Sequence, residues 1–274
     1  MKHSCVLKAN LFFVLAITIF AIQACSSTAN VIANRHDHQD KTKAVVSPSS
    51  ANVSKPSALV VKPLKFKQFK PTIEEVERAM EKAKLPFETL EYVNWAKYPY
   101  KPETKFRMAY NKQEIYLQFN VTESAILAQE VDEEKGMPCF DSCVELFVKI
   151  PGDSTYFNLE FNCIGTCLVE NGTLNNNRIR LSKELTSKIR RKSSLGSTPF
   201  AEKKGNFNWT LTLAIPFDVF GTSNITTLKK QTLQANFYKC GEKLSTKHYV
   251  SWSPILTKWP NFHKPEYFGV LYFK

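Results

Sequence analysis

The feature that most constrains this 274-residue chain is apolar alternation with a period of two. Ile115, Leu117, Phe119 and Val121 fall at every second position, with Tyr116, Gln118 and Asn120 between them. Val144, Leu146, Val148 and Ile150 repeat the pattern, as do Trp209, Leu211, Leu213 and Ile215. Successive strand side chains point to opposite sides of a sheet, so such runs fold as strands with one face buried. Turn sequences such as Asn111-Lys112 and Pro151-Gly152-Asp153 separate them. Many short strands punctuated in this way predict an all-β fold, an antiparallel β-sandwich or jelly roll. With 20 Phe and 10 Tyr, the chain has ring volume for a sizeable core.

One helix precedes the strands. Thr72 is suited to the N-cap and Glu75 completes a capping box, while Ile73, Val76, Met80 and Ala83 share a face until Pro86 stops the run. A short N-terminal helix packed on the sandwich is expected, with one domain over residues 71–274.

The first 70 residues read differently. Lys2, His3 and Lys8 precede an apolar stretch from Leu11 to Ile22, too short to span a bilayer as a helix but suited to a signal peptide. It ends in Ile22-Gln23-Ala24-Cys25. This resembles a bacterial lipoprotein box, in which Cys25 receives the lipid and residues 1–25 are the signal; an ordinary secretory cut near Ala24 is the alternative. Residues 26–70 are rich in Ser, Thr, Ala, Asn, Pro and Lys without sustained periodicity, and read as a flexible linker. The expected location is the bacterial cell envelope, lipid-anchored, periplasmic or at the cell surface.

The hairpin from Val144 to Asn162 is legible in more detail. Matching apolar faces sets Val144, Leu146, Val148 and Ile150 against Phe157, Leu159 and Phe161, because a slip of one residue would bury the wrong side. The opposite face then collects Glu145, Tyr156, Asn158, Glu160 and Asn162. Such a patch is either the wet face of an antiparallel sheet or a set of groups that hydrogen-bond sugar hydroxyls.

Asp141-Ser142-Cys143-Val144-Glu145 resembles the Asp-Ser-Val-Glu strand of family 9 carbohydrate-binding modules. Residues 156–162, 236–241, 252–255 and 260–269 are similar to further segments of a bacterial lipoprotein subfamily of that group, in the expected order. The resemblance implies a non-catalytic sugar-binding sandwich attached to polysaccharide-degrading systems, with Glu145 contacting the sugar and Asn158, Glu160 and Asn162 around it. Family modules clamp the sugar between tryptophans. This chain has Pro138-Cys139-Phe140 where one of these belongs, so Phe140, Trp252 and Trp259 are the candidate rings. The resemblance also implies structural calcium, for which no ligands are assigned here.

Other functions find less support. The formal charge of +12 is spread along the chain, and its one dense cluster, Lys188 to Lys192, accompanies no nucleic-acid motif. No nucleophile elbow, metalloprotease helix or glycine-rich phosphate loop is present, so the chain reads as a binder rather than an enzyme. A haem site would draw on Met108, Met137, His248 and His263, and an envelope protein-interaction module is the other alternative. Of the cysteines at 139, 143, 163, 167 and 240, Cys139 and Cys167 are the expected disulfide. The spacing lacks the paired knuckles usual for zinc, so a zinc site ranks below disulfides or buried thiols and no metal ligands are assigned.

Overall fold

The computed structural model describes residues 55–173, 177–221 and 225–274. The lipidation candidate Cys25 and the signal segment lie outside the described residues. Strands β1 to β5 are Ala58–Pro63, Glu88–Thr89, Tyr92–Val93, Glu103–Tyr110 and Glu114–Ala128. β6 to β9 are Cys143–Lys149, Tyr156–Asn162, Cys167–Gly172 and Arg178–Arg180. β10 to β14 are Arg190–Ser193, Phe200–Pro216, Thr232–Cys240, Tyr249–Ser251 and Gly269–Phe273. Helix α1 is Ile73–Lys82 and a single turn, α2, is Lys183–Thr186.

The strands run in the order β10-β11-β5-β4-β1-β14-β12-β6-β7-β8-β9. All these pairings are antiparallel except those of β1, which runs parallel to β14 at its start and parallel to β4 at its end. β1 thereby joins two sheets, one centred on β5 and β4 and the other on β12, β6 and β7. The core lies between them. Phe106, Phe119 and Leu211 from the first sheet meet Leu146, Leu159, Phe161 and Phe237 from the second, and Phe106 stacks on Phe237 at 3.7 Å between ring centroids. This is the expected sandwich, mostly antiparallel.

β1 corrects the reading of residues 26–70 as linker throughout. Leu59 and Val61 point into the core while Val60 and Lys62 face out. Six residues flanked by Ser, Lys and Pro are a faint signal, and both partners of β1 lie far along the chain.

α1 forms as expected. The Glu75 amide donates to Thr72 Oγ1 and the Thr72 amide donates to a Glu75 carboxylate oxygen at 2.7 Å. Ile73, Val76 and Met80 pack on Ala109, Tyr116 and Ala214, the outer side of the first sheet. Ala83 is the exposed C-cap, and Leu85 takes its place in the contact.

The two sheets are also tied by a buried ion pair. Lys239 of β12 reaches Glu123 of β5 at 2.9 Å and also donates to the Cys240 carbonyl and to His248 Nε2. His248 Nδ1 in turn bonds the Thr246 carbonyl, and burial, followed by the Lys239 charge, holds this ring neutral far below its ordinary range. Glu123 also accepts from the Trp209 indole at 2.7 Å, which places Trp209 in the core as its apolar run predicts. The basic run near residue 190 is matched by acids: Arg190 pairs with Glu114, Arg191 with Glu133, and Lys192 with Glu74 and Glu77.

Candidate functional site

The hairpin pairs as its pattern requires, Val144 opposite Phe161, Glu145 opposite Glu160, Leu146 opposite Leu159 and Val148 opposite Phe157. The polar set does occupy the other face of the second sheet. That face is covered rather than wet. An aromatic layer built from Trp95, Tyr98, Tyr249, Phe262, Tyr267 and Phe268 packs over Phe147, Tyr156 and Tyr238. Trp95 anchors this layer by donating its indole N–H to the Thr257 carbonyl at 2.9 Å, so its role is packing.

The cover leaves one recess over the hairpin, a cavity of about 340 Å3. Glu145, Phe147 and Glu160 form its floor, and Met137, Cys139 and Phe140 one wall. Glu242 and Tyr249 line a second side, and Pro260 to His263 a third. The walls are held by backbone bonds, because the amides of Glu242 and Lys243 donate to the carbonyls of Cys139 and Phe140. Lys243 Nζ sits 3.9 Å from the Phe140 ring centroid, and Tyr238 stacks on Phe262 at 4.1 Å with the planes 8° apart.

Three carboxyls line this cavity; Glu242 is half-buried, and the two on the floor meet little solvent. Glu145 is 2% exposed and Glu160 6%. Burial pushes the Glu160 carboxyl up to about 7, against a bond from Asn158 that pulls it down. Burial, then the neighbouring Glu160 charge, raises Glu145 well above the carboxylate range, and burial raises Glu242. On the far wall His263 bonds Tyr156 OH through Nδ1 at 2.9 Å, and burial followed by Arg178 lowers the ring to about 4. At neutral pH the recess is therefore a set of neutral and anionic acids beside a neutral imidazole, walled by rings.

The other expected site residues divide. Asn158 is buried beside the floor, donating to Glu160 Oε1 at 3.0 Å and accepting from Arg178 at 2.9 Å, so it positions Glu160. Asn162 is committed elsewhere. Its Nδ2 donates to Asp141 and to the Glu130 carbonyl, and its Oδ1 accepts from the Thr166 amide. Asp141 accepts from the amides of Gln129 and Glu130 as well, so the start of the Asp-Ser-Val-Glu strand caps the end of β5.

Trp252 is not a sugar platform. It is 3% exposed and packs edge-on against Phe106 and Phe237 inside the core. Trp259 is 64% exposed and directly precedes Pro260 of the cavity wall. Of the haem candidates, Met108 lies in the core and His248 serves Lys239, whereas Met137 and His263 both line the cavity.

The disulfide expectation fails too. All five cysteines of the described residues are free thiols. Gly165, at φ +93°, closes a tight turn in which its amide donates to the Asn162 carbonyl, and the strand beyond it keeps its register. Cys167 therefore lands opposite Phe161 and faces the core, while Cys139 lines the cavity on the other side of that sheet.

Sequence reasoning missed Phe147, Glu242, Tyr249 and Phe262. Phe147 shares the parity of Glu145 and could have been placed on the floor. The others come from β13 and loops whose approach depends on pairing at long sequence separation, which no local pattern carries.

The fold and recess define a β-sandwich module with an acid-floored, ring-walled pocket on one sheet. Residues 74–273 match the family model for carbohydrate-binding family 9, and the chain belongs to that family of carbohydrate-binding domains. A candidate carbohydrate-binding protein from Bacteroides uniformis ATCC 8492 shares 39% identity over 80% of this chain and 100% of its own, with a TM-score of 0.77. A family 9 module from Caldicellulosiruptor kristjanssonii, solved with glucose, covers 80% of this chain and 96% of its own at 11% identity and a TM-score of 0.46. Its cellotriose complex gives 10%, 80% and 94% coverage, and 0.48. At that distance these two complexes carry no argument about the ligand here. No curated protein matches the sequence.

Proposed function

We propose that the cavity over Glu145 and Glu160 binds the end of an oligo- or polysaccharide without cleaving it, and that the protein is an exported, lipid-anchored partner of polysaccharide breakdown in a bacterial envelope. The observation that carries this reading is the recess itself, two carboxyls on a floor walled by Phe140, Tyr249 and Phe262. Carboxyls accept from sugar hydroxyls, rings stack on the C–H face of a pyranose, and the two floor carboxyls are themselves buried. A volume of about 340 Å3 is at the small end of ligand pockets, which favours a chain end over a chain middle. Glu145 and Glu160 are the direct acceptors, Asn158 holds Glu160, and Trp259 extends the stacking surface at the rim. The 39% identical relative described as a candidate carbohydrate-binding protein supports the same assignment.

A glycan array with the wild type, Glu145→Ala and Trp259→Ala tests it. Retention of a glycan by the wild type, lost in the first variant and weakened in the second, is expected. A folded wild type that retains none would leave the protein-interaction reading in its place. Because Met137 and His263 share the cavity, a Soret band in the same preparation would favour haem. Lipid attachment is checked separately by labelling with a fatty acid, which Cys25→Ser should abolish.

A further inference from the structure

At the back of the cavity floor, two thiols and a carboxylate converge. Cys143 of β6 lies directly opposite Cys240 of β12 in the antiparallel register, and Glu145 follows two residues on, on the same face. Cys240 Sγ is 3.0 Å from Glu145 Oε1 and Cys143 Sγ is 4.0 Å from the same oxygen. One donor atom from each of the three lies within 4.8 Å of the others, and all three residues are buried. Around a tetrahedral zinc with bonds of about 2.3 Å to sulfur and about 2.0 Å to oxygen, sulfur and oxygen ligands stand roughly 3.5 Å apart, between the two separations seen.

We propose that Cys143, Cys240 and Glu145 form a binding site for a thiophilic divalent cation, zinc above all. Thiolates select soft and borderline metals over calcium or magnesium, which take oxygen ligands. Carboxylate oxygen completes a three-ligand set that keeps a fourth position, as zinc sites open to exogenous ligands do. Of the three ligands Glu145 also lines the cavity, together with Cys139 and Glu160. Glu160 Oε2 is buried and accepts no hydrogen bond from the protein, so an acceptor stands unused beside the set. Binding releases the thiol protons, and any carboxyl proton on Glu145, to solvent, and leaves two thiolates and a carboxylate on the cation. Local sequence spacing hides this set, because Cys143 and Cys240 meet only through the pairing of β6 with β12.

The site stands whether or not the cavity takes sugar, and its test uses no glycan. The full chain is reduced, stripped with a chelator and titrated with cobalt(II) as a spectroscopic stand-in for zinc. One cobalt per chain with a thiolate-to-metal charge-transfer band is expected, displaced by zinc, lost in Cys143→Ser and in Cys240→Ser, and retained in Cys167→Ser, whose thiol faces the core. Should the serine variants fail to fold, the wild type decides by alkylation and peptide mapping with and without zinc. Metal-dependent protection should fall on residues 143 and 240. No charge-transfer band, a band that survives both serine substitutions, or protection confined to other cysteines overturns the proposal.

Discussion

Replacing Glu160 with Gln isolates what this floor costs the fold. The Glu160 carboxyl, buried opposite Glu145, loses its proton at about 7 instead of the usual 4.5. A group whose folded pKa is raised binds its proton more tightly in the native state. Its contribution to stability is complete below about 4.5 and is lost as pH rises through about 7. At about 1.4 kcal/mol per pH unit between the two values, the loss amounts to about 3 kcal/mol. Gln keeps an oxygen to accept from Asn158 and cannot ionise. Urea unfolding of the two proteins near pH 4.5 and near pH 8.5, with chelator present, should show the variant gaining about 3 kcal/mol on the wild type between them. The comparison across pH cancels any fixed cost of the amide. It also cancels His248 and His263, whose lowered values remove stability from both proteins as pH falls below the ordinary histidine range. Relief of Glu145, raised in part by the Glu160 charge, acts in the same direction as the main effect. A relative gain below about 1 kcal/mol would show that Glu160 is hydrated in solution and that the recess is not the low-dielectric site described here.

Three further outcomes separate structure from binding. Trp252→Ala should cost about 3–5 kcal/mol in denaturant unfolding, since the ring fills the core against Phe106 and Phe237, whereas Trp259→Ala should stay within about 0.5 kcal/mol of the wild type. Lys239→Met should lose about 3–5 kcal/mol, because Glu123 keeps its Trp209 bond but stays as a buried charge without its cation. A chain begun at residue 71 lacks β1 and should fail to give a cooperative unfolding transition, because β14 and β4 lose the strand that joins them; a sharp transition close to the full chain's would show that β1 is dispensable.

Where the sequence was legible, a local rule and the tertiary structure agreed. The capping box fixed the start of α1, and the period of two fixed the parity of β6 and β7 well enough to place Glu145 opposite Glu160. It was silent wherever the deciding partner lay far along the chain. Ala58 meets Val270, Cys143 meets Cys240, and Val93 meets Val250, and none of these pairings follows from a hairpin. Trp252 was misplaced for a related reason: a ring among Ser and Pro looks like loop until the Asn236 side chain is seen binding the Ser253 amide and carbonyl, which turns the segment inward.

The same limit explains how a face read as wet became a pocket. Alternation assigns acids and amides to the side away from the core, but it does not say whether a further layer covers that side. Here loops near residues 95, 140 and 260 supply that layer. An uncovered Glu145 and Glu160 would be two ordinary surface acids, exchanging water for sugar at little net gain. Under an aromatic cover they are desolvated, one of them lacks a partner for an oxygen, and burial raises Glu160 to about 7 and Glu145 well above the ordinary carboxylate range. Burial of that kind is destabilising unless a ligand completes it, and a sugar hydroxyl or a cation at Cys143 and Cys240 would each do so. The floor's instability without a ligand and its affinity for one are therefore two readings of the same desolvation, which makes the pH response of Glu160→Gln informative about binding before any ligand is known.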